Sequence, residues 1–344
     1  MTDYVWGNTE TQFFFNLTPE TILNAIENVG FKVTGRCLSL NSMENRVFEV
    51  EIDIDEKDVL VPSDRFLVAK FYRPGRWSKE QILDEHQFLL DLKENEIPVI
   101  APVEIKGKTL FTDEQTKLYY CLFPKRGGRI PQEMDDEQLE ITGRLLARIH
   151  NVGSIKKAEH RITISPASFG TSNLNFLLDQ KIIPHHLESS YKDLVQEICQ
   201  IAEPLFKKTE TIRIHGDCHW GNLIVRDEQI AFIDFDDMLM GPPVQDVWLI
   251  TPGQDAENTR QRNILLDAYE TMRSFDYSSL KLVEVLRALR YIHFSAWIAK
   301  RWDDPSFKNA FAHFEEPSYW EVQTNDLIVQ LRDIKTISSP YPSY

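Results

Sequence analysis

Oxygen-bearing side chains recur at short intervals in residues 211–237. Asp217 follows a short apolar strand, Asn222 comes five residues later, and Asp234 ends the second strand of a predicted hairpin. Because two strand ends deliver these side chains toward one place, Asn222 and Asp234 predict a Mg²⁺ site, since hard cations prefer oxygen ligands. Asp217 would accept a proton from an incoming hydroxyl while the cation neutralises a phosphoryl group. The spacing therefore indicates phosphoryl transfer.

A zinc hydrolase is an alternative interpretation of the same loop. His215, Cys218 and His219 lie close together but show neither CxxC nor HxxxH spacing. We expect His215 to pack and to hydrogen-bond within the loop instead. The cysteines are far apart along the chain, which argues against a zinc ribbon and against a disulfide framework.

A lysine and a glutamate interrupt apolar patterns in the first third of the chain. Lys70 lies in the apolar run 66–71, where an unpaired charge would be costly. Glu85 shares one helical face with Ile82 and Leu89 in the segment that follows. We predict that the two charges pair and hold a nucleotide. A snorkelling lysine and a solvated glutamate are the alternative.

Polar stretches flank this pair on both sides. In residues 40–46, LNSMENR, the amides and the Ser42 hydroxyl could cover phosphates, although an ordinary hairpin turn is the simpler interpretation. Arg73 and Arg76 follow Lys70, and they either pair with the acidic surface in solvent or dock a substrate or a phosphorylated segment. Solvated charge is also expected for four later basic residues: Arg287, Arg290, Lys300 and Arg301.

The elements that must position these residues fall into two regions. Residues 1–124 combine helices capped by Thr18 and Ser78 with strands predicted at 33–40, 48–54, 66–71, 103–105, 109–111 and 117–123. Residues 125–344 are mainly helical, with helices predicted at 136–151, 188–207, 258–274, 279–302 and 319–335. The polar segment 124–129, PKRGGR, predicts a hinge between the two regions. We therefore predict an α+β, bilobal chain with its ligand site in the cleft.

Composition limits the partners. The 344 residues include 38 Lys and Arg and 53 Asp and Glu, and the net charge of −15 argues against broad nucleic-acid binding. No apolar run approaches about 20 residues, so no membrane span is predicted. The first twenty residues lack the basic and apolar regions of a secretory signal. We expect a monomer in the cytoplasm.

These motifs together resemble a known family. HGDCHWGN at 215–222, followed by FIDFDD at 232–237, resembles the motif of the aminoglycoside phosphotransferase and choline kinase branch of the protein-kinase-like fold. KFYRPGRW at 70–77 and GPPVQD at 241–246 are similar to the stress response kinase A family in particular. The similar stretches run through nearly the whole chain.

The resemblance implies a cytoplasmic, ATP- and Mg²⁺-dependent serine/threonine protein kinase of the bacterial stress response, with a bilobal protein-kinase-like fold. It also implies roles for individual residues. Asp217 would be the catalytic base, and Asn222 and Asp234 would bind Mg²⁺. Lys70 would contact phosphates and pair with Glu85, and Ser42 would lie in the phosphate-covering loop. The backbone from Phe123 to Lys125 would contact adenine, and Asp246 would hold the catalytic loop in position.

The sequence departs from ordinary protein kinases after the metal-binding aspartate. Only six residues, 235–240, separate Asp234 from Gly241, which leaves no long activation loop and no platform for a protein substrate. Phe235-Asp236 stands where those kinases have Phe-Gly, and the loop at Ser42 lacks their glycines. A kinase for a small hydroxylated molecule, of the aminoglycoside, choline or homoserine kinase type, is therefore an alternative. An inactive nucleotide-binding regulator is a further one.

Overall fold

Apolar alternation in the first third of the chain builds a five-stranded antiparallel sheet with the order β1-β2-β3-β5-β4. The computed structural model describes Phe14 and residues 16–338, so most of the segment that lacks a secretory pattern lies outside the described residues. The strands of this sheet are β1 (Val33–Leu40), β2 (Arg46–Ile52), β3 (Phe66–Phe71), β4 (Phe111–Thr112) and β5 (Tyr119–Pro124).

Two helices accompany the sheet, and capping side chains set where they begin. The Thr18 side chain accepts from the Thr21 N–H at the start of α1 (Pro19–Asn28), while Ser78 and Gln81 cap each other's N–H at the start of α2 (Lys79–Glu94). The apolar face of α1 packs on the sheet, but that of α2 joins the larger core of the C-terminal region. Helix α2 therefore connects the two regions.

The rest of the chain is mainly helical, as predicted. The sequence patterns did not predict α4, α6 or α9, and the helix expected at 279–302 is shorter because a 3₁₀ helix, Tyr277–Leu282, precedes it. The helices are α3 (Asp136–Ile155), α4 (Ser172–Asp179), α5 (His185–Phe206), α6 (Val244–Ile250), α7 (Ala256–Glu270), α8 (Val283–Ala299), α9 (Pro305–Ala310) and α10 (Pro317–Ser338). No helix in the described part of the chain is long and apolar enough to cross a membrane.

Two short strand pairs lie between the helices and carry the loops of interest. Strand β6 (Ile212–Ile214) pairs with β9 (Leu239–Gly241), and β7 (Leu223–Arg226) pairs with β8 (Gln229–Phe232). The β7–β8 hairpin also bonds to the hinge, because Arg129 and Val225 exchange two backbone hydrogen bonds at 3.0 and 2.8 Å. The predicted strand at 103–105 is wrong. In the described structure this segment is not part of a strand, and it makes one isolated bridge, between Ile105 and Lys108.

Candidate active site

The loop at residues 215–222 connects β6 to β7, and its backbone is held by hydrogen bonds to a residue of α6. Asp246, fully buried, accepts the N–H groups of His215 and Gly216 on its two carboxylate oxygens, each at 2.9 Å. Gly216 has a φ of 84°, and a Cβ there would collide with the carbonyl oxygen of Asp237. A buried carboxylate and a glycine thus fix the path of this loop.

Asp217 contacts two basic side chains. Arg290 Nη2 lies 2.9 Å from its Oδ1, and His219 Nε2 lies 3.3 Å from its Oδ2. Burial by itself would raise the pKa of Asp217, but the hydrogen bond from His219 and the charge of Arg290 hold it well below its usual range. The carboxylate is therefore ionised and can only accept hydrogen bonds, which suits the orientation of a hydroxyl.

Hydrogen bonds of Asn222 connect the loop that carries Asp217 to the residue that precedes Asp234. The Asn222 amide nitrogen donates to the Asp217 carbonyl at 2.9 Å, and the Asn222 carbonyl accepts the N–H of Ile233 at 3.0 Å. Because the bond to Asp217 uses the side-chain amide nitrogen of Asn222, Oδ1 is the atom that could coordinate a cation. Asp234 has the left-handed backbone angles φ 57° and ψ 64°, a strained conformation that is typical of functional sites, and its side chain remains 58% exposed.

Lys70 lies on β3 with its side chain only 7% exposed, next to three carboxylates. The predicted pair with Glu85 is present, at 3.4 Å from Nζ to Oε1, but Asp236 is nearer, at 2.8 Å, and Asp234 lies at 3.7 Å. Burial by itself would lower the pKa of Lys70, but these carboxylates, with Asp236 foremost, raise it above its usual value. The lysine is therefore held as a cation.

Sequence reasoning missed Asp236, which belongs to a buried network of ion pairs. Its carboxylate also pairs with Arg76, and its carbonyl accepts from Arg161 Nη1 at 2.7 Å. The other nitrogen of Arg161, Nη2, pairs with Glu85 at 3.0 Å. The signal available in the sequence was the acidic run FIDFDD at 232–237, in which Asp236 stands where ordinary protein kinases have glycine.

The interpretation of Arg73, Arg76 and Arg301 as solvated charges is wrong. All three are at most 5% exposed, because ion pairs within the chain hold them. Arg73 bonds Asp304 at 2.8 Å, and Arg76 bonds the carboxylates that follow Asp234. These guanidinium groups therefore form buried ion pairs within the chain and are not solvated.

The loop that carries Ser42 is not an ordinary solvated turn. It joins β1 to β2, and Glu44 within it accepts from Trp297 Nε1 at 2.8 Å and pairs with Arg301 at 2.8 Å, both on the C-terminal side of the cleft. Asn45 is buried, and its Oδ1 accepts the Arg73 N–H at 3.0 Å. Ser42 is half-buried in the same loop. The loop therefore connects the two regions across the cleft.

The residues proposed to meet adenine lie at the end of β5, where Phe123 is still in the strand and Lys125 is the first residue after it. Phe123 is paired with Val68 of β3, and the Lys125 N–H lies 3.4 Å from the Phe66 carbonyl oxygen, at the long end of hydrogen bonding. The Lys125 side chain pairs with Glu49 at 2.6 Å. Both residues thus face β3, on one side of the strand.

The zinc interpretation finds no support in the described residues. No group of three or more His, Cys, Asp or Glu side chains within them is arranged to hold a metal ion. His215 is fully buried, donates from Nε2 to the Ile233 carbonyl at 2.9 Å and packs on Phe235, as the loop-holding interpretation predicts. Cys218 is also fully buried, and burial raises the pKa of its thiol well above the usual value.

Comparison with known proteins agrees with this geometry. The profile of the phosphotransferase enzyme family matches residues 42–283. The chain is 36% identical over 326 residues to stress response kinase A of Escherichia coli strain K12, an alignment that covers 94% of this chain and 96% of that protein. It is also 36% identical over 320 residues to the serine/threonine protein kinase RdoA of Salmonella typhimurium strain LT2, covering 93% and 94%.

Solved structures share the fold at lower identity. An amicoumacin kinase in complex with AMP-PNP, Ca²⁺ and its ligand superposes with a TM-score of 0.67 at 18% identity, over 92% of this chain and 95% of that one. A spectinomycin phosphotransferase with ADP and spectinomycin gives 0.64 at 12% identity, over 90% and 98%. These similarities confirm the predicted bilobal, protein-kinase-like fold. With the family profile and the bacterial relatives, they show that the chain belongs to the phosphotransferase enzyme family and, within it, to the stress response kinase A group of kinases.

Proposed function

We propose that this phosphotransferase is an ATP- and Mg²⁺-dependent serine/threonine protein kinase that acts as a cytoplasmic monomer in a bacterial stress response. Relatives at 36% identity carry the names stress response kinase A and serine/threonine protein kinase, which supports a protein hydroxyl as the acceptor. The observation that best supports the chemistry is the convergence of Lys70, Asp217, Asn222 and Asp234 at one cleft. We propose residues 1–124 and 125–344 as its two lobes.

The donor set fits a divalent cation bound with a nucleotide. Asn222 Oδ1 and the half-exposed Asp234 carboxylate are the two oxygen ligands, a number typical of Mg²⁺ sites in which phosphates and water complete the shell. When bound, Mg²⁺ would neutralise phosphate charge and align the γ-phosphoryl group for in-line transfer. The solved complex of the amicoumacin kinase with AMP-PNP and Ca²⁺ supports a nucleotide with a divalent ion.

Asp217 acts on the acceptor in this proposal. Its carboxylate orients the hydroxyl and takes the proton as the hydroxyl oxygen bonds to the γ-phosphorus and the bond from that phosphorus to the β,γ-bridging oxygen breaks. Because Arg290 and His219 keep the pKa of Asp217 low, it is a weak base, and orientation is its larger contribution. Lys70 stays protonated and holds the α- and β-phosphates.

The remaining nucleotide contacts are proposed from the positions of the residues around the cleft. Adenine would lie against the backbone from Phe123 to Lys125, with the Lys125 N–H donating to it. The bond that this N–H makes to Phe66 is long, 3.4 Å, so a nucleotide would displace little. Ser42 would direct its hydroxyl at a phosphate, and Glu85 would keep Lys70 in place together with Asp236.

A kinase for a small hydroxylated molecule is the second candidate. The short segment between Asp234 and Gly241 favours it, because six residues form no platform for a folded substrate. The solved neighbours with amicoumacin or spectinomycin bound are consistent with it. An inactive regulator is a weaker candidate, since Asp217 is ionised and its neighbours suit transfer.

Transfer from γ-³²P-labelled ATP to mixed protein substrates and to a panel of hydroxylated metabolites, run in parallel, tests the proposal. We expect Mg²⁺-dependent label on Ser or Thr of protein, its loss in Asp217→Asn, and unchanged transfer in Asp227→Asn, an aspartate that is 88% exposed. Label on a metabolite alone would establish the second candidate. Nucleotide binding without transfer to either class would indicate the inactive regulator.

A further inference from the structure

A cavity of about 230 Å³ lies beside Asp217, on the side of the C-terminal helices. Asp217 and Gly216 form part of its wall, so a hydroxyl that Asp217 orients would lie in or beside the cavity. Most of the remaining wall is apolar and is formed by Ile164, Phe169, Leu239, Leu286, Phe294 and Trp297. The group attached to the acceptor hydroxyl would therefore contact hydrocarbon and aromatic surface.

The acidic side chains in this wall are already paired with arginines. Asp217 pairs with Arg290 at 2.9 Å, Glu44 pairs with Arg301 at 2.8 Å, and Asp237 pairs with Arg76. His293 also lines the cavity and stacks on Phe169, and burial holds its pKa well below the usual value, so its ring is neutral. A cationic acceptor would have to compete with an arginine for each carboxylate, whereas an uncharged group displaces none of these pairs.

Phe294 gives this wall an exposed aromatic ring in a fixed position. It lies on α8, is 41% exposed, and stacks on Trp297 with the ring centroids 5.6 Å apart. Trp297 is itself held by the 2.8 Å hydrogen bond to Glu44. A ring held in this way offers apolar contact area with little loss of side-chain entropy on binding.

The volume of the cavity limits what it encloses. Pockets that bury whole drug-sized ligands measure about 300–1,000 Å³, so this cavity takes only part of an acceptor, about one large side chain. A polypeptide satisfies that limit, because one residue can present the hydroxyl to Asp217 while a neighbouring side chain enters the cavity and the rest stays outside.

We propose that the chain phosphorylates Ser or Thr residues flanked by a large, uncharged apolar residue, and that Phe294 is a residue that selects this neighbour. The inference rests on the proposed protein kinase function and names the substrate class for that site. Acceptor sequences with Lys, Arg, Asp or Glu at the same flanking position are poor substrates, because every charged group of the wall already has a partner. A cation there would compete with arginines for the carboxylates, and an anion would compete with Asp217 and Asp237 for Arg290 and Arg76, which also line the cavity.

A degenerate peptide library with a fixed central Ser and γ-³²P-labelled ATP tests the inference on the full chain. We expect Leu, Ile, Met or Phe to exceed Lys and Asp by about tenfold or more at one flanking position, the selectivity that partial burial of one apolar side chain produces. Phe294→Ala should reduce that ratio. Phe294→Glu should move the selection toward Lys and Arg at the same position, a change that a merely structural role for Phe294 would not produce.

Tyr277→Ala is the matched control, since Tyr277 is an aromatic residue that is 47% exposed and does not line the cavity; its selection profile should equal that of the parent chain. Peptide labelling with no flanking selection, or with the strongest selection for a charged residue, would overturn the inference and leave the kinase function standing. If no peptide is labelled while metabolites are, the protein kinase function fails and the inference fails with it.

Discussion

Replacement of Asp236 by Asn tests which carboxylate stabilises the buried Lys70. Asp236 Oδ1 is 2.8 Å from Lys70 Nζ, whereas Glu85 Oε1 is 3.4 Å away, and both carboxylates are almost completely buried. Burial opposes the charge on each, but Arg76 and Lys70 hold the pKa of Asp236 below its usual range, while the pKa of Glu85 stays raised. The folded chain therefore favours the charge on Asp236 and disfavours the charge on Glu85.

The expected magnitude follows from these contacts. Removal of one partner from a buried ion pair costs about 3–5 kcal/mol of unfolding free energy. Lys70 keeps Glu85 and Asp234, and Arg76 keeps Asp237, so we expect the lower end, about 3 kcal/mol, for Asp236→Asn. Glu85→Gln removes a charge that the folded chain disfavours, so its loss of stability should be smaller than that of Asp236→Asn, even though Arg161 also loses the charge of its 3.0 Å partner.

Urea unfolding at pH 7 measures both values, provided that the m-value is the same in each variant. A double-mutant cycle with Lys70→Met should show stronger coupling to Asp236 than to Glu85, because the coupling follows the shorter distance. Asp227→Asn, at an 88% exposed aspartate, is the control and should change stability by no more than about 0.5 kcal/mol. The reasoning is refuted if Glu85→Gln loses as much stability as Asp236→Asn.

Three further predictions concern the parts that hold the active-site loop. Asp91→Asn, which weakens a buried 2.7 Å pair with Arg213, should cost about 2 kcal/mol at pH 7 in urea unfolding. Because the pKa of Asp91 is lowered on folding, against its burial, by Lys156 and Arg213, that difference should be complete above about pH 4 and should shrink as the pH falls below it. Gly153→Ala should lower stability by about 1–3 kcal/mol in the same assay, because its Cβ would collide with the Arg213 carbonyl, whereas Gly127→Ala, with its nearest atom at 3.7 Å, should be nearly neutral. Asp246→Asn should lower kcat for phosphoryl transfer by about tenfold with little change in the KM for ATP. The reason is that one of the two backbone N–H groups that Asp246 accepts would face the amide nitrogen of the new side chain. An unchanged kcat would contradict this prediction.

Elements whose ends carry their own capping groups could be predicted from the sequence. Thr18 caps α1 through a residue three positions away, and Ser78 and Gln81 cap α2 over the same spacing. Such bonds depend on nearby residues only, so a local pattern is sufficient. Helices α4 and α9 have eight and six residues and are too short to be stable by themselves, so their formation depends on the packing around them.

The predicted strand at 103–105 failed for a related reason. Its alternating apolar residues lie against the core that α1 forms with the sheet, but the Val103 N–H makes a single bond of 2.7 Å to the Leu122 carbonyl, and no ladder forms. Apolar alternation reports burial of one face, whereas a strand also needs a partner strand in register. Whether such a partner exists depends on the fold of the whole region.

The sequence by itself determined the chemistry of the proposed site, because Asp217, Asn222 and Asp234 are connected by one local hairpin whose strands pair from Leu223 to Phe232. Only the tertiary structure decided which charges meet across the cleft. Arg76 reaches Asp236 across 160 residues, and Arg301 reaches Glu44 across 257. Partner choice among many carboxylates depends on differences of less than 1 Å in a poorly screened interior, and those distances exist only after the two lobes have packed.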